Sequence, residues 1–211
     1  MELCIEHLCK RFRGIAVLDN INCTFSSGKI YGLIGKNGSG KTMLLREIAG
    51  LIHPTSGRVL VDGRELHRDI SFPPNMGLII EKPEFLGDMS GFQNLRMLAE
   101  IRRTITDEEI KDWMRRFSLD PGAKLPMRKY SLGMKQKIAM IQAVMEDPDL
   151  LILDEPFNAM DESSVQMCWS LLKELRQAKR LIIITSHHKE DIEGLCDETL
   201  LIENGMLRSR A

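Results

Sequence analysis

A glycine-rich segment at residues 31–42, YGLIGKNGSGKT, places a lysine and a hydroxyl side chain directly after an apolar run. A helical pattern follows it, which gives the order strand, loop and helix. Such a loop lets several backbone N–H groups converge on one anion, and the helix adds its positive N-terminal end. The alternative is an ordinary glycine-rich turn. We predict that the loop binds a nucleotide through Gly35, Lys36, Asn37, Gly38, Ser39, Gly40, Lys41 and Thr42.

Two of these side chains have defined chemical roles in a loop with this spacing. Lys41 would reach the β- and γ-phosphates, and Thr42 would present its hydroxyl to Mg²⁺. A protein that binds a nucleotide and Mg²⁺ through such a loop also needs an acidic residue at the end of another strand to hold the metal. The sequence therefore has to supply a carboxylate elsewhere in the chain.

Adjacent carboxylates, Asp154 and Glu155, end the apolar run 150–153. Charged groups rarely follow a buried strand without a partner, because an unpaired buried charge is strongly unfavourable. Neighbouring residues of a strand point to opposite faces, so the two should have different roles. We expect Asp154 to hold Mg²⁺ through a water molecule and Glu155 to activate the attacking water as a general base. The alternative is a solvated acidic end of a loop.

Composition and charge limit the class of protein. The chain has 211 residues, of which 43% are hydrophobic and 28% charged, as in ordinary globular proteins. Its net charge of −1 does not favour binding to nucleic acid through bulk charge, and we expect no nucleic acid partner. No apolar run approaches the ~20 residues of a membrane helix, and the first residues do not form a secretory signal. The five cysteines form no CxxC pair, which is typical of reduced thiols in a cytosolic protein.

Apolar, β-rich segments alternate with helical patterns along most of the chain. We expect strands at 2–5, 30–34, 58–61, 77–80, 150–153, 181–185 and 199–202, and helices at 41–49, 91–103, 107–117, 132–146, 164–178 and 189–195. This order predicts an α/β fold with a mostly parallel sheet and an antiparallel section in the first third. Ser90 with Gln93 and Thr106 with Glu109 form capping boxes in the middle of the chain. We predict one domain, with an α/β core at 1–82 and 146–211 and an inserted helical subdomain at about 83–145.

The glycine-rich loop and the carboxylate pair fit many nucleotide-hydrolysing proteins, but the segment YSLGMKQK, residues 130–137, does not. With the glycine-rich loop before it and LLILDEP after it, the chain resembles the nucleotide-binding subunit of ABC transporters over nearly its whole length. GLIHPTSGRVLVDG (50–63), FNAMD (157–161) and ITSHH (184–188) are similar to the segment after the P-loop helix, the D-loop and the switch region of that family. The resemblance implies a P-loop NTPase fold of the ABC type, ATPase activity, and the cofactors ATP and Mg²⁺.

The resemblance also implies how a second subunit completes the site. Two such domains close head to tail around two ATP molecules, and Ser131 and Gly133 of one bind the γ-phosphate held by the other. Asp161 would shape this interface, and His187 would contact the γ-phosphate, with His188 as the lower-ranked candidate. Taken alone, Ser131 is more typical of a helix N-cap, and His187 of a hydrogen-bonded structural residue.

Two further positions are assigned through the resemblance. Phe12 occupies the place of the adenine-stacking aromatic, and core packing is the alternative. Glu81, in MGLIIEKPEF, stands where the family has a glutamine, and we assign it to sensing nucleotide and metal. Its charge beside the carboxylate pair would either tighten Mg²⁺ binding or raise the pKa of one carboxylate. The signature also differs from the common SGGQ, at Leu132 and Met134.

These departures resemble the bacterial ABC-2-type subgroup linked to export of, and immunity to, peptide antibiotics such as bacteriocins and lantibiotics. The resemblance implies an ATPase on the cytoplasmic face of the cell membrane, joined to a membrane permease and to a second ATPase subunit, identical or closely related. Phe85, Leu86 and Phe92 are either permease contacts or ordinary core. The alternative is a non-transport ABC ATPase acting on DNA or ribosomes, against which the single motif set and the lack of a long heptad run both argue.

Overall fold

The computed structural model describes residues 1–186 and 189–210, which form two β-sheets and six α-helices. The strands are β1 (Glu2–Phe12), β2 (Ile15–Ser26), β3 (Ile30–Ile34), β4 (Ser56–Val61), β5 (Arg64–Glu65), β6 (Met76–Ile79), β7 (Leu150–Leu153), β8 (Leu181–Thr185), β9 (Glu198–Glu203) and β10 (Met206–Arg210). The helices are α1 (Lys41–Ile48), α2 (Gly91–Arg102), α3 (Asp107–Arg116), α4 (Leu132–Val144), α5 (Glu162–Gln177) and α6 (Lys189–Leu195), with a 3₁₀ turn at Met127–Lys129.

The larger sheet has the strand order β10–β9–β3–β8–β7–β6. The strands from β9 to β6 are parallel, and β10 is antiparallel at the edge. In β7, Leu150 and Ile152 belong to one hydrophobic core, and Leu151 and Leu153 belong to the other. The sheet is therefore covered on both faces, as the sequence predicts, and loops from the carboxyl ends of its strands meet at one edge.

The smaller sheet is antiparallel, with the order β2–β1–β4–β5, and it packs with α1 over one face of the larger sheet. Strands β2, β5 and β10 are not predicted from the sequence, and β1 extends well beyond residue 5. In β2 the buried residues are Leu18, Ile21 and Phe25, which do not follow a period of two. Irregularities in the pairing of β1 with β2 break that period, and this conceals the strand in the sequence.

Helices alone occupy the chain between β6 and β7, apart from loops. Both predicted capping boxes are confirmed. The Ser90 and Thr106 hydroxyls each accept a hydrogen bond from the backbone N–H three residues later. The Gln93 and Glu109 side chains accept one from the backbone N–H of the capping residue. Helix α4 packs against β6. Among the described residues, no helix is long and apolar enough to cross a membrane.

Gly77 of β6 determines how closely α4 approaches the sheet. A Cβ atom at this position would overlap the carbonyl oxygen of Ala143 in α4. We expect Gly77→Ala to lower the free energy of unfolding by about 1–3 kcal/mol, because the helix and sheet must separate. Urea denaturation measures this. Gly87→Ala is the control, since its Cβ would meet only the Arg128 Cβ at 3.6 Å. Equal stability of the two variants would contradict the packing described.

Candidate nucleotide-binding site

The glycine-rich loop joins β3 to α1 at the carboxyl edge of the larger sheet. Two of its glycines leave no room for a side chain: a Cβ on Gly35 would overlap the Ile202 carbonyl oxygen, and one on Gly40 would lie 3.0 Å from the Val17 carbonyl oxygen. Gly40 also has a φ of 112°, which favours glycine. Ser39 is buried, and its hydroxyl has no hydrogen-bond partner among the described residues. A polar atom is thus available for a ligand in the loop.

Lys41 is the first residue of α1 and is almost completely buried. Its ammonium donates to the carbonyl oxygens of Gly35 (2.7 Å) and Lys36 (3.3 Å), so the loop closes around its own lysine. A phosphate would replace these neutral acceptors with charged ones, and charge-assisted hydrogen bonds are about twice as strong. The predicted loop residues therefore offer donors for a polyphosphate.

A cavity of about 340 Å³ lies beside this loop. It is lined by Val17, Asn37, Gly38, Gly40, Lys41, Thr42, Met43, Asp154 and Glu155. The predicted phosphate loop and the predicted carboxylate pair thus face one space. Its volume falls at the small end of the range for ligand pockets.

Asp154 connects the ends of neighbouring strands. It directly follows β7, and its Oδ2 accepts from the Thr42 hydroxyl at 2.8 Å. Its Oδ1 accepts from the Thr185 hydroxyl at 2.6 Å, and the Thr185 oxygen accepts from the Glu155 backbone N–H at 2.9 Å. Because β8 lies between β3 and β7, Thr185 at its end can contact the residues that follow β7. These bonds fix a buried carboxylate next to the predicted metal-binding hydroxyl.

Glu155 reaches the same cavity by a route that strand geometry does not predict. Strand β7 ends at Leu153, so the alternation of side chains along a strand does not separate Asp154 from Glu155. Glu155 instead has a left-handed backbone, with a φ of 50°, and both carboxylates line the cavity. Asp154 is the carboxylate that accepts hydrogen bonds from both threonine hydroxyls.

Thr185 is a residue of this site to which the sequence analysis assigns no role, although it lies within the motif ITSHH. The signal is present, since a hydroxyl residue ends the otherwise apolar strand LIIIT, but its meaning depends on the strand order. The predicted γ-phosphate contact His187, and its neighbour His188, lie outside the described residues.

The predicted signature residues lie at the start of α4 and do not line the loop cavity. Ser131 is the N-cap of that helix, and its hydroxyl accepts from the Met134 backbone N–H at 3.1 Å. A Cβ on Gly133 would lie 2.6 Å from the Ala159 carbonyl oxygen, so the D-loop approaches the signature closely within one chain. Ser131 and Gly133 therefore lie outside the cavity that the phosphate loop shares with the two carboxylates.

Asp161, the predicted interface residue, is the N-cap of α5. Its Oδ1 accepts from the Ser163 hydroxyl at 2.5 Å and from the Ser164 backbone N–H at 2.9 Å. These hydrogen bonds, with that of the Ser164 hydroxyl, hold the pKa of Asp161 far below its usual range. Lys137 of α4 lies 3.7 Å from Asp161 Oδ2, so the signature helix and the D-loop are also connected by charge.

Glu81 lies outside the loop cavity but close to Asp154 and Glu155, which form the carboxylate turn. It lines a second cavity, of about 260 Å³, together with Asp154 and Glu155. Its own carboxylate pairs with Arg46 of α1, at 2.5 Å, and its side chain is 60% exposed. The extra charge predicted beside the carboxylate pair therefore has a guanidinium as its counterion.

Phe12 ends β1 and is 47% exposed. Core packing, the alternative considered for Phe12, is therefore wrong, although the ring does not line the loop cavity. Phe85 and Phe92 are partly buried against a hydrophobic core, as the core alternative predicts for them. Leu86 is 51% exposed and remains a candidate contact.

Thr185→Val tests the bond network around Asp154. The substitution keeps the size of the side chain but removes a hydroxyl from a fully buried carboxylate contact. We expect the free energy of unfolding to fall by about 1–3 kcal/mol, measured by urea denaturation, because a buried acceptor and a backbone donor lose their partner. Thr104→Val is the matched control, since Thr104 donates to Glu146 at an exposed position. An equal, small loss in both variants would show that Thr185 does not hold the carboxylate.

Comparison with known proteins agrees with this geometry. A family model described as "ABC transporter" matches residues 18–158, which include the loop, the signature and the carboxylate pair. The chain is 47% identical to the "Uncharacterized ABC transporter ATP-binding protein YybJ" of Bacillus subtilis (strain 168), over 97% of this chain and 94% of that protein. It is 31% identical to the "Lantibiotic transport ATP-binding protein SrtF" of Streptococcus pyogenes, over 96% and 87% of the two chains.

The fold also matches a solved structure. "Structure of ATP binding subunit of ABC transporter" aligns with a TM-score of 0.89 at 24% identity, over 100% of this chain and 90% of that one. This likeness confirms the predicted α/β fold of the ABC type. The chain therefore belongs to the ABC transporter family, as an ATP-binding subunit that hydrolyses ATP.

Proposed function

We propose that the chain drives a membrane transporter by closing head to tail with a second ATPase subunit around two ATP molecules. The observation that carries this proposal is the division of the site within one chain. The loop and the carboxylate pair share a cavity, whereas Ser131 and Gly133 lie outside it at the start of α4. A second subunit would supply these two residues to the γ-phosphate.

Thr42 would bind Mg²⁺ through its hydroxyl, and Asp154 would hold the ion through water. Glu81, which lines the second cavity with Asp154, would sense nucleotide and metal. The Thr42 hydroxyl and the Asp154 carboxylate are 2.8 Å apart at the cavity. In the described part of the chain, no group of three or more His, Cys, Asp and Glu residues could hold a metal. A hydroxyl and a carboxylate suffice for Mg²⁺, which usually takes one or two protein ligands and completes its shell with phosphate and water. When bound, the ion neutralises charge on the phosphates.

Glu155 is the proposed general base. It lines the loop cavity, and its backbone N–H is fixed by Thr185, so its position relative to Asp154 is defined. It would accept a proton from the water that attacks the γ-phosphate. Lys41 would bind the phosphates by exchanging the loop carbonyls that now hold its ammonium. His187 is assigned to the γ-phosphate from the sequence alone.

The proposed partner is a membrane permease, and the proposed cargo is an exported peptide antibiotic. The SrtF relative, a lantibiotic transport ATP-binding protein, supports this class of cargo. The chain would work as one ATPase domain on the cytoplasmic face of the cell membrane. Its α/β core would comprise 1–82 and 146–211, and the helical subdomain at about 83–145 would present Leu86 to the permease.

Glu155→Gln tests this proposal. The amide cannot accept the proton, so ATP turnover should fall by about 10²–10⁴-fold while Mg-ATP still binds. The variant should then accumulate as a dimer, measured by light scattering at high protein concentration. Lys41→Met is the control, because it removes the phosphate-binding ammonium and should stay monomeric. A Glu155→Gln chain that remains monomeric with bound Mg-ATP would contradict the closed dimer.

An affinity-tagged Glu155→Gln chain also tests which partner the protein binds. Captured from native membranes in mild detergent, it should retain a multi-span permease in fixed stoichiometry. Ribosomes, DNA or only soluble proteins in its place would contradict the transport role and support the alternative ATPase function.

A further inference from the structure

Lys10 connects the exposed ring of Phe12 to the helix that follows the phosphate loop. Its ammonium lies 5.2 Å from the centroid of the Phe12 ring and 3.6 Å from Glu47 Oε1. It also donates a hydrogen bond to the His53 carbonyl oxygen. The Lys10 side chain is 12% exposed and that of Glu47 is fully buried. The end of β1 and the helix α1 are therefore joined by an ion pair that is largely shielded from water.

Glu47 is the group that holds the Lys10 ammonium in place. Neither of its carboxylate oxygens has a hydrogen bond among the described residues, so the nearby ammonium is its charge partner. Burial raises the pKa of Glu47 to about 7, and Lys10 acts against that rise. Glu47 also lines a cavity with Arg58 and Arg68. These two arginines pair with other acids, Arg58 with Glu6 and Arg68 with Glu65. Lys10 is thus held where it lies by a buried acid.

We propose that Lys10 is a positioning residue for the base of ATP: anchored by Glu47, it holds the Phe12 ring in the orientation on which adenine stacks. Phe12 is 47% exposed, which leaves room for a base to stack on it while the ammonium remains in place. A cation beside an aromatic ring is attracted to its face, which restrains the ring. Glu47 belongs to the helix that begins with Lys41 and Thr42, so the same ion pair fixes the spacing between base platform and phosphate loop.

The inference rests on the proposed binding of ATP and on the adenine-stacking role that the family resemblance implies for Phe12. A purely structural ion pair would stabilise the fold and affect every ligand equally. A positioning role affects only ligands that carry a base. Comparing ATP with inorganic triphosphate therefore separates the two explanations.

The experiment measures the dissociation constants of ATP and of inorganic triphosphate by calorimetry. Lys10→Met should weaken ATP binding by about two- to fivefold, because the ring loses one cation–π restraint, and it should leave triphosphate binding unchanged. Lys10→Arg should restore most of the ATP affinity, because a guanidinium also stacks on an aromatic face. Lys111→Met is the matched control: Lys111 lies 5.8 Å from the ring centroid of Phe92, in the helical segment, and neither affinity should change.

Phe12→Ala keeps the inference and the proposed function distinguishable. If Phe12→Ala weakens ATP binding and Lys10→Met does not, the role of Lys10 is wrong and that of Phe12 stands. If Phe12→Ala changes nothing, the stacking role itself is wrong and the inference falls with it. Equal weakening of ATP and triphosphate by Lys10→Met would also overturn the inference. Should Lys10→Met fail to fold, Lys10→Met/Glu47→Gln removes both buried charges and allows the same comparison.

Discussion

The site depends on one buried carboxylate, Asp154, which must be compensated where it lies. Two threonine hydroxyls do this, from Thr42 at the start of α1 and from Thr185 at the end of β8. The order β3–β8–β7 makes the arrangement possible, because it brings the ends of these strands side by side. Removing either hydroxyl would take one hydrogen bond from a buried carboxylate, which is more unfavourable than losing an exposed hydrogen bond. The fold therefore holds the carboxylate and the phosphate loop in one fixed relation.

The signature helix is connected to the same turn, although it does not reach the loop cavity. Gln136 of α4 donates to the Pro156 carbonyl oxygen at 3.0 Å, directly after the carboxylate pair. Lys137, the next residue, lies near Asp161 in the D-loop. On the other side, Gly77 allows α4 to approach β6. A change at the carboxylate turn thus has several contacts through which it can move α4.

Much of this could be predicted from the sequence, because the spacing of the phosphate loop and the capping boxes is set by local geometry. The parallel sheet also follows from the alternation of apolar and helical segments. What could not be predicted depends on contacts between distant segments. Thr185 gains its role only from the strand order, and Glu81 gains its counterion only because the fold brings Arg46 of α1 beside it. Strand β2 is hidden because irregular pairing removes its period of two.

The central claim is that each complete site takes its loop from one subunit and its signature from another. Mixing two inactive variants tests it most directly. Lys41→Met disables the loop, and Ser131→Asp keeps the N-cap of α4 while placing a negative charge at the γ-phosphate. A head-to-tail dimer of the two variants contains one intact site, so ATP hydrolysis should reappear on mixing although each variant alone is inactive. A mixture that stays inactive, although the two variants form a mixed dimer, would contradict the account.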